Sequence, residues 1–182
     1  GSGGQEFFYG PLGEVEKTIR TIVVSQTDIR TFVSEQQYDT WNRIQVMKYP
    51  DGDSVNYTYN TAGKLKQVTS TKDNFSYNVM DDIGYDKFEQ RVYMKHGNGV
   101  ETRYDYEDDR RRLSTLRVDQ PNGTRIMDNV YGYDVVNNVR SLENQRSVPG
   151  DGQGGSMSST YDYDILYRLT EATGQYTGSA RE

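Results

Sequence analysis

YDTWNRIQVMKYPDGDSVNYTY, residues 38–59, lies without a gap on YDKFEQRVYMKHGNGVETRYDY, residues 85–106. Seven of the 22 positions are identical at an offset of 47 residues: Tyr38/Tyr85, Asp39/Asp86, Met47/Met94, Lys48/Lys95, Gly52/Gly99, Tyr57/Tyr104 and Tyr59/Tyr106. Trp41 and Phe88 add an aromatic match. Self-similarity at a fixed period marks a repeat architecture and has to be read before any single element. Within the longer unit runs a shorter one, opened by a tyrosine, with a small or turn-forming residue often four positions on and an aliphatic six or seven on. Its openers are Tyr9, Tyr38, Tyr59, Tyr85, Tyr106, Tyr133 and Tyr163. Gly13 and Val15, Asn42 and Ile44, Gly63 and Leu65, Asn137 and Val139 follow four of them, and Leu169 follows the last. Tyr85 and Tyr106 read as carrying one extra residue before Val92 and Leu113.

Each unit reads as a β-hairpin. Val55, Tyr57 and Tyr59 alternate with polar residues, as do Val100, Thr102, Tyr104 and Tyr106, and Phe75, Tyr77 and Val79. A period of two is the signature of a strand with one packed face. Asp51-Gly52, Asn98-Gly99 and Asn122-Gly123 separate such segments, and these dipeptides accept the positive φ of tight turns. Tyrosine doublets at 57/59, 104/106, 131/133 and 161/163 put paired rings on one sheet face. Val15, Ile19, Ile22 and Val23 also suit a helix face, but the density of Thr, Ile and Val between Thr18 and Val33 favours a strand pair.

Composition supports a thin sheet over a closed globule. Val, Ile, Leu and Phe make up 35 of the 182 residues, just under the roughly 20% at which disorder becomes an alternative. Yet 21 basic residues face 27 acidic ones for a net charge of −6, and disorder needs a stronger imbalance. Sixteen tyrosines therefore supply much of the packing. A mean hydropathy of −0.92 leaves too little apolar matter for a thick two-layer interior. No apolar run approaches the ~20 residues of a membrane helix, and a pI near 4.9 argues against nucleic acid and anionic membranes. Without cysteine there are no disulfides and no thiolate chemistry. Gly1-Ser2-Gly3-Gly4 looks like a cloning remnant, so residues 1–8 are set apart as remnant and lead-in, and residues 9–182 as an array of about seven units. Pro149 to Gly155 is a flexible insert between the last two.

The unit Tyr-Asp-x-x-Gly-Arg-Leu, followed by Pro-Asp-Gly and then Tyr-x-Tyr, resembles the YD repeat of the bacterial RHS family, which includes toxin-complex shell subunits and the animal teneurins. Two stretches carry the match best: Tyr38-Asp39-Thr40-Trp41-Asn42-Arg43-Ile44 through Pro50-Asp51-Gly52 to Tyr57-Thr58-Tyr59, with Asn in place of Gly, and Tyr161-Asp162-Tyr163-Asp164-Ile165-Leu166-Tyr167-Arg168-Leu169-Thr170-Glu171-Ala172, with Tyr in place of Gly. The resemblance implies a long antiparallel ribbon that spirals into a hollow shell, often around a toxic polypeptide, in a secreted or surface-displayed protein. The family's effectors often end in a core segment with Asp-Pro-x-Gly-like signatures that cleaves the toxin free. Nothing here matches that segment, nor is a terminal cap evident, so the chain reads as a piece of a larger repeat protein.

Catalytic constellations were sought and not found. His96, the single histidine, precedes a Gly-Asn-Gly turn and has no recognisable partner motif. Most of the seventeen aspartates belong to the repeat or its turns. Asp39, Asp86, Asp134 and Asp164 each follow an opener, where a side-chain oxygen can accept from backbone N–H groups and fix a turn. Asp51-Gly52-Asp53 and Gly150-Asp151-Gly152 lack the spaced acidic series of a calcium loop, and Gly150 to Gly155 lacks the Lys-Ser/Thr of a phosphate loop. Arg110-Arg111-Arg112, behind Glu107, Asp108 and Asp109, reads as local charge pairing. Trp41 and Phe88, in equivalent turn regions, are the candidates for stacking on sugar rings.

The expected fold is therefore all-β, an extended, twisted antiparallel sheet of successive hairpins. The expected function is a non-enzymatic wall or scaffold module with no cofactor. Its expected partners are neighbouring repeats and an enclosed polypeptide, with glycans at Trp41 and Phe88 as the rival reading. Unpaired sheet edges are expected to favour edge-to-edge self-association.

Overall fold

The computed structural model describes residues 3–147 and 155–177. The insert up to Gly154, with the Gly150-Asp151-Gly152 calcium candidate, lies outside the described residues, as do Gly1 and Ser2. The chain divides into two compact units, Gly1–Asp82 and Ile83–Glu182. In both, the described elements are β-strands, with no helix among the described residues.

The first unit contains β1 (Gly4–Tyr9), β2 (Val15–Val23), β3 (Ile29–Tyr38), β4 (Ile44–Lys48), β5 (Ser54–Tyr59), β6 (Leu65–Lys72) and most of β7 (Phe75–Tyr85). Each strand pairs antiparallel with its sequence neighbour. The second unit takes the end of β7 and then β8 (Arg91–His96), β9 (Glu101–Tyr106), β10 (Leu113–Asp119), β11 (Arg125–Tyr133), β12 (Val139–Asn144), β13 (Met157–Tyr163) and β14 (Leu169–Tyr176). There too the pairing from β8 to β14 follows the chain. The segment from Val15 to Val33 forms strands β2 and β3, as its β-branched density predicts. Residues Gly4–Phe8, set apart in the sequence as lead-in, belong with Tyr9 to β1 and are paired with β2.

One loop geometry accounts for both edges. After Tyr38, the Asp39 N–H donates to the Arg43 carbonyl at 2.9 Å and the Asn42 N–H donates to the Asp39 carbonyl at 3.0 Å. The same two bonds recur at Gly10/Glu14, Asn60/Lys64, Asp86/Gln90, Asp134/Asn138 and Asp164/Arg168. The residue four after the opener is left-handed each time, with φ of 85° at Gly13, 58° at Asn42, 79° at Gly63, 65° at Glu89, 76° at Asn137 and 60° at Tyr167. This is the three-residue hairpin loop, a type I turn followed by a left-handed residue. Tyr49–Asp53, His96–Val100 and Gln120–Thr124 close in the same way, with Gly52, Gly99 and Gly123 left-handed.

The extra residue expected after Tyr106 is present: the Glu107 N–H donates to the Arg112 carbonyl, and Arg111 takes the left-handed position with φ 57°. The one expected after Tyr85 is not. Its loop closes between Asp86 and Gln90 at the ordinary length, so Arg91 begins the next strand and Val92 lies one place further on. The aliphatic pattern misled because a charged residue occupies the usual aliphatic position.

The openers sit where the ladder shifts by one residue, as at Phe8/Tyr9, Gln37/Tyr38, Thr58/Tyr59, Gly132/Tyr133 and Asp162/Tyr163. The bulge sets six of the seven openers opposite the aliphatic six or seven positions later: Val15, Ile44, Leu65, Leu113, Val139 and Leu169. The first tyrosine of each doublet faces an apolar side chain rather than another ring: Tyr57 opposite Val68, Tyr104 opposite Leu116, Tyr131 opposite Leu142 and Tyr161 opposite Ala172. Burial is correspondingly shallow. Ile83, 7% exposed, is the buried apolar side chain among the described residues, and Ser70 at 1% is the most deeply buried.

Candidate functional site

In an antiparallel meander every second loop falls on the same edge. The opener loops of the first unit therefore share one edge of that unit, and those of the second unit share one edge of theirs. Three interactions recur along these edges: the second fixes each loop, and the first and third hold one hairpin on its neighbour.

The first is the opener's hydroxyl. Tyr38 donates to the Val15 carbonyl at 3.0 Å, Tyr59 to Ile44 at 2.6 Å, Tyr106 to Arg91 at 2.9 Å, Tyr133 to Leu113 at 2.8 Å and Tyr163 to Val139 at 3.0 Å. The acceptor in each case is the residue that opens the second strand of the preceding repeat. A tyrosine thus occupies the bulge of its own hairpin and fastens the hairpin before it, which phenylalanine cannot do. Burial raises the phenol pKa at Tyr59, Tyr106 and Tyr133, keeping the hydroxyl a donor.

The second is the residue after the opener. One carboxylate oxygen of Asp39 accepts from the Trp41 and Arg43 N–H groups at 2.9 and 3.0 Å. Asp86, Asp134 and Asp164 accept from the matching pairs in their own loops. Asn60, which the sequence reading passed over, does the same for Ala62 and Lys64. The other Asp39 oxygen accepts from Arg43 Nε at 2.7 Å, and that bond is the main cause of a carboxyl pKa below its usual value. Asp164 is lowered chiefly by the Arg168 backbone and side chain. At Asp134 burial pushes upward, but the Asn138 and Val136 hydrogen bonds together outweigh it.

The third is the cation that follows. The Arg43 guanidinium, held by Asp39, lies 4.1 Å from the ring centre of Tyr59, the next opener, and 4.7 Å from Trp41. Arg112, paired with Glu107, lies 4.5 Å from the ring centre of Tyr133 and donates to the Asp134 carbonyl at 3.0 Å and Asn137 Oδ1 at 3.1 Å. Arg111 reaches back instead: it donates to Asp86 and to Gln90 Oε1, while Gln90 Nε2 donates to the Arg111 carbonyl at 2.9 Å. Arg110 reaches forward to the Val135 carbonyl at 2.6 Å. The arginine run, expected to pair locally, therefore spans the loops after Tyr85, Tyr106 and Tyr133. The Arg112–Glu107 ion pair, in contrast, lies within its own loop.

Trp41 is 76% exposed and Phe88 54% exposed. A cleft of about 550 Å³ lies beside Trp41, lined by Arg43, Tyr59, Asn60 and Thr61 among others. Arg43 covers the Trp41 ring, and both Arg111 (4.3 Å) and Lys87 (5.0 Å) lie over Phe88. Among the described residues, no group of His, Asp and Glu is placed to hold a metal ion.

On the opposite edges, Gly52 and Gly99 sit in turns closed by their own main-chain bonds, and the Gly52 turn also reaches strand β6. Asp51 pairs with Lys72 at 2.6 Å, which lowers its pKa, and Asp53 accepts from the buried Ser70 hydroxyl. On the polar face of the second unit, Arg117 bridges Asp105 and Asp128 at 2.9 and 3.2 Å, and Arg125 bridges Asp119 and Asp128 at 2.8 and 2.9 Å.

No family model matches the chain. Toxin subunit YenC1 of Yersinia entomophaga is 32% identical over 140 residues, covering 68% of this chain, and Toxin subunit YenC2 of the same organism is 29% identical over 145 residues, covering 71%. The chain spans only 14% of the length of either relative. Among solved structures, the crystal structure of TcdB2-TccC3-Cdc42 matches 92% of this chain and 9% of its own with a TM-score of 0.83 at 22% identity. The Photorhabdus luminescens Tc holotoxin pore matches 88% of this chain and 8% of its own with a TM-score of 0.80 at 23% identity. Sequence likeness to two toxin subunits and the same hairpin-by-hairpin fold join the opener motif in one conclusion: the chain belongs to the RHS, or YD-repeat, family.

Proposed function

We propose that the chain is a non-enzymatic wall segment of an RHS-type shell that encloses a polypeptide, in a protein that is secreted or displayed at the cell surface. The observation that carries this reading is the recurrence of the opener hydroxyl bond from one repeat to the preceding one. It invests the distinctive residue of five repeats in holding the sheet together. The toxin-subunit relatives support the same reading, and the neighbouring repeats of the parent protein are the natural partners of β1 and β14. Stacking of a glycan at Trp41 or Phe88 is the weaker reading, because cations already lie over both rings.

The test is a chimera in which this chain replaces the aligned 140 residues of Toxin subunit YenC1. Limited proteolysis of the chimera should leave a resistant body that shields an internal polypeptide until the body is opened by denaturant. A chimera that folds, shown by its β-sheet circular dichroism, but shields nothing would overturn the reading.

A further inference from the structure

The two Asn-Gly turns of the second unit carry a chemistry that a wall segment leaves unused. An Asn-Gly pair can react with itself: the glycine nitrogen, losing its proton, attacks the asparagine Cγ. A new N–Cγ bond forms, the Cγ–Nδ2 bond breaks, and ammonia departs. Water then opens the cyclic imide at one carbonyl to give aspartate or at the other to give isoaspartate. The step consumes only water and needs no cofactor.

Asn98 and Asn122 are both exposed at hairpin tips, so water reaches them freely. Their turns nevertheless engage the two groups that must react. The Gly99 N–H donates to the His96 carbonyl at 2.8 Å and the Gly123 N–H to the Gln120 carbonyl at 2.8 Å. Asn98 Oδ1 accepts from the Val100 N–H at 3.1 Å, and Asn122 Oδ1 from the Thr124 N–H at 2.9 Å. The nucleophile's proton is held, and the side-chain amide is pinned toward the residue two places on.

From this geometry we infer that Asn98 and Asn122 are deamidation sites gated by hairpin opening: closed while the turn is bonded, reactive when it opens. The equivalent turn of the first unit shows which product the fold accommodates. Asp51 occupies the position of Asn98 and Asn122, and its Oδ1 accepts from the Asp53 N–H at 3.3 Å in a turn with the same closing bonds. The aspartate product therefore keeps the hairpin. The isoaspartate product adds a methylene to the main chain and cannot keep the same pair of closing bonds.

The two sites are held unequally. Pro121 precedes Asn122 and fixes its own φ, whereas Gly97 precedes Asn98 and leaves that turn freer. Opening of the Asn98 turn is thus the easier event.

The experiment incubates the full chain at mildly alkaline pH, folded and in urea, and follows each asparagine by peptide mapping with isoaspartate resolved from aspartate. Both sites should react at least about tenfold more slowly in the folded chain, the factor set by an opening free energy of about 1.4 kcal/mol. The ratio of urea to folded rate should be larger at Asn122 than at Asn98. Equal folded and urea rates at both sites, in a chain whose circular dichroism shows it folded, would overturn the gating. Asn98→Asp should leave the unfolding midpoint unchanged, and a clear fall would overturn the assignment of aspartate as the tolerated product.

Discussion

The opener loops and the turns on the opposite edges share one backbone geometry and differ in what they bind. Asp39–Arg43 and Tyr49–Asp53 close with the same pair of main-chain bonds and the same left-handed fourth residue. Yet the first kind reaches across to its neighbours through Tyr59 and Arg43, or through the run Arg110 to Arg112, while the second reaches its neighbour through carboxylates alone, Asp51 to Lys72 and Asp53 to Ser70. Folding each hairpin is thus a local matter of turn chemistry and alternation. Stacking the hairpins in register is concentrated in one residue class on one kind of edge. A sheet with almost no buried apolar side chain needs such fixings, because burial alone contributes little here.

Removing the fixings should cost more than disturbing the turns. Tyr57→Ala with Tyr59→Ala removes the packing on Val68, the ring beneath Arg43 and the bond to the Ile44 carbonyl, and should lower unfolding free energy by about 3 kcal/mol. An unchanged thermal midpoint in the double variant would sink the argument for the opener edge. Arg111→Ala should cost less, about 1–2 kcal/mol, since Arg111 is partly exposed but its side chain makes a charge-assisted bond to Asp86 and one bond to Gln90 Oε1. Tyr59→Phe isolates the hydroxyl and should cost about 1 kcal/mol in a urea titration. If Tyr59→Phe is neutral while Tyr57→Ala with Tyr59→Ala is not, the ring and not the hydroxyl holds the repeats.

Much of this was legible in the residues, and the parts that were not share a cause. The openers, the three turns with Gly52, Gly99 and Gly123, and the role of Asp39 in its loop follow from properties that a side chain carries locally: φ tolerance, alternation and an oxygen at short range. The acceptor of each opener hydroxyl does not follow in that way, because it belongs to the preceding repeat and its distance along the chain varies with the intervening strands. Its one signal was the fixed step of six or seven residues from opener to strand start, which locates the acceptor in every repeat once the hairpins are stacked. Glu89 and Arg111 were illegible for another reason, while Tyr167 was read in the glycine place of its repeat without its conformation being evident. They occupy a conformation that favours glycine or asparagine, so residue type pointed away from the position they fill.

That mismatch sharpens the comparison. At Tyr167 the loop accepts a left-handed tyrosine with φ 60°, 61% exposed and so lightly packed, where Gly13 and Gly63 fill the same place without strain. Tyr167→Gly should therefore stabilise the chain by up to about 1 kcal/mol. Gly52→Ala, on the opposite edge, should destabilise by a similar amount, because nothing but φ opposes it there: a Cβ at Gly52 meets no atom within 4 Å. Chemical denaturation of the two variants side by side separates backbone strain from packing, and a destabilised Tyr167→Gly would show that the tyrosine side chain is held after all.

The smallest expected effect is confined to acid. Asp39, Asp134 and Asp164 have folded pKa values below their ordinary ones. Their carboxylates therefore contribute stability that is complete above the unfolded value of about 3.9 and is lost as pH falls through the lower folded values. Asparagine can hold the loop without the charge, as Asn60 does through the same two backbone bonds. The triple variant Asp39→Asn, Asp134→Asn, Asp164→Asn should then fold at neutral pH with its hairpins intact, lose the Arg43 and Arg168 pairings, and show a flatter fall of unfolding midpoint in acid. Asp51 on the opposite edge, lowered mainly by Lys72, supplies the control: Asp51→Asn should flatten the same limb by less than the three opener-edge changes together. An acid limb as steep in the triple variant as in the parent chain would place the acid sensitivity away from the opener loops.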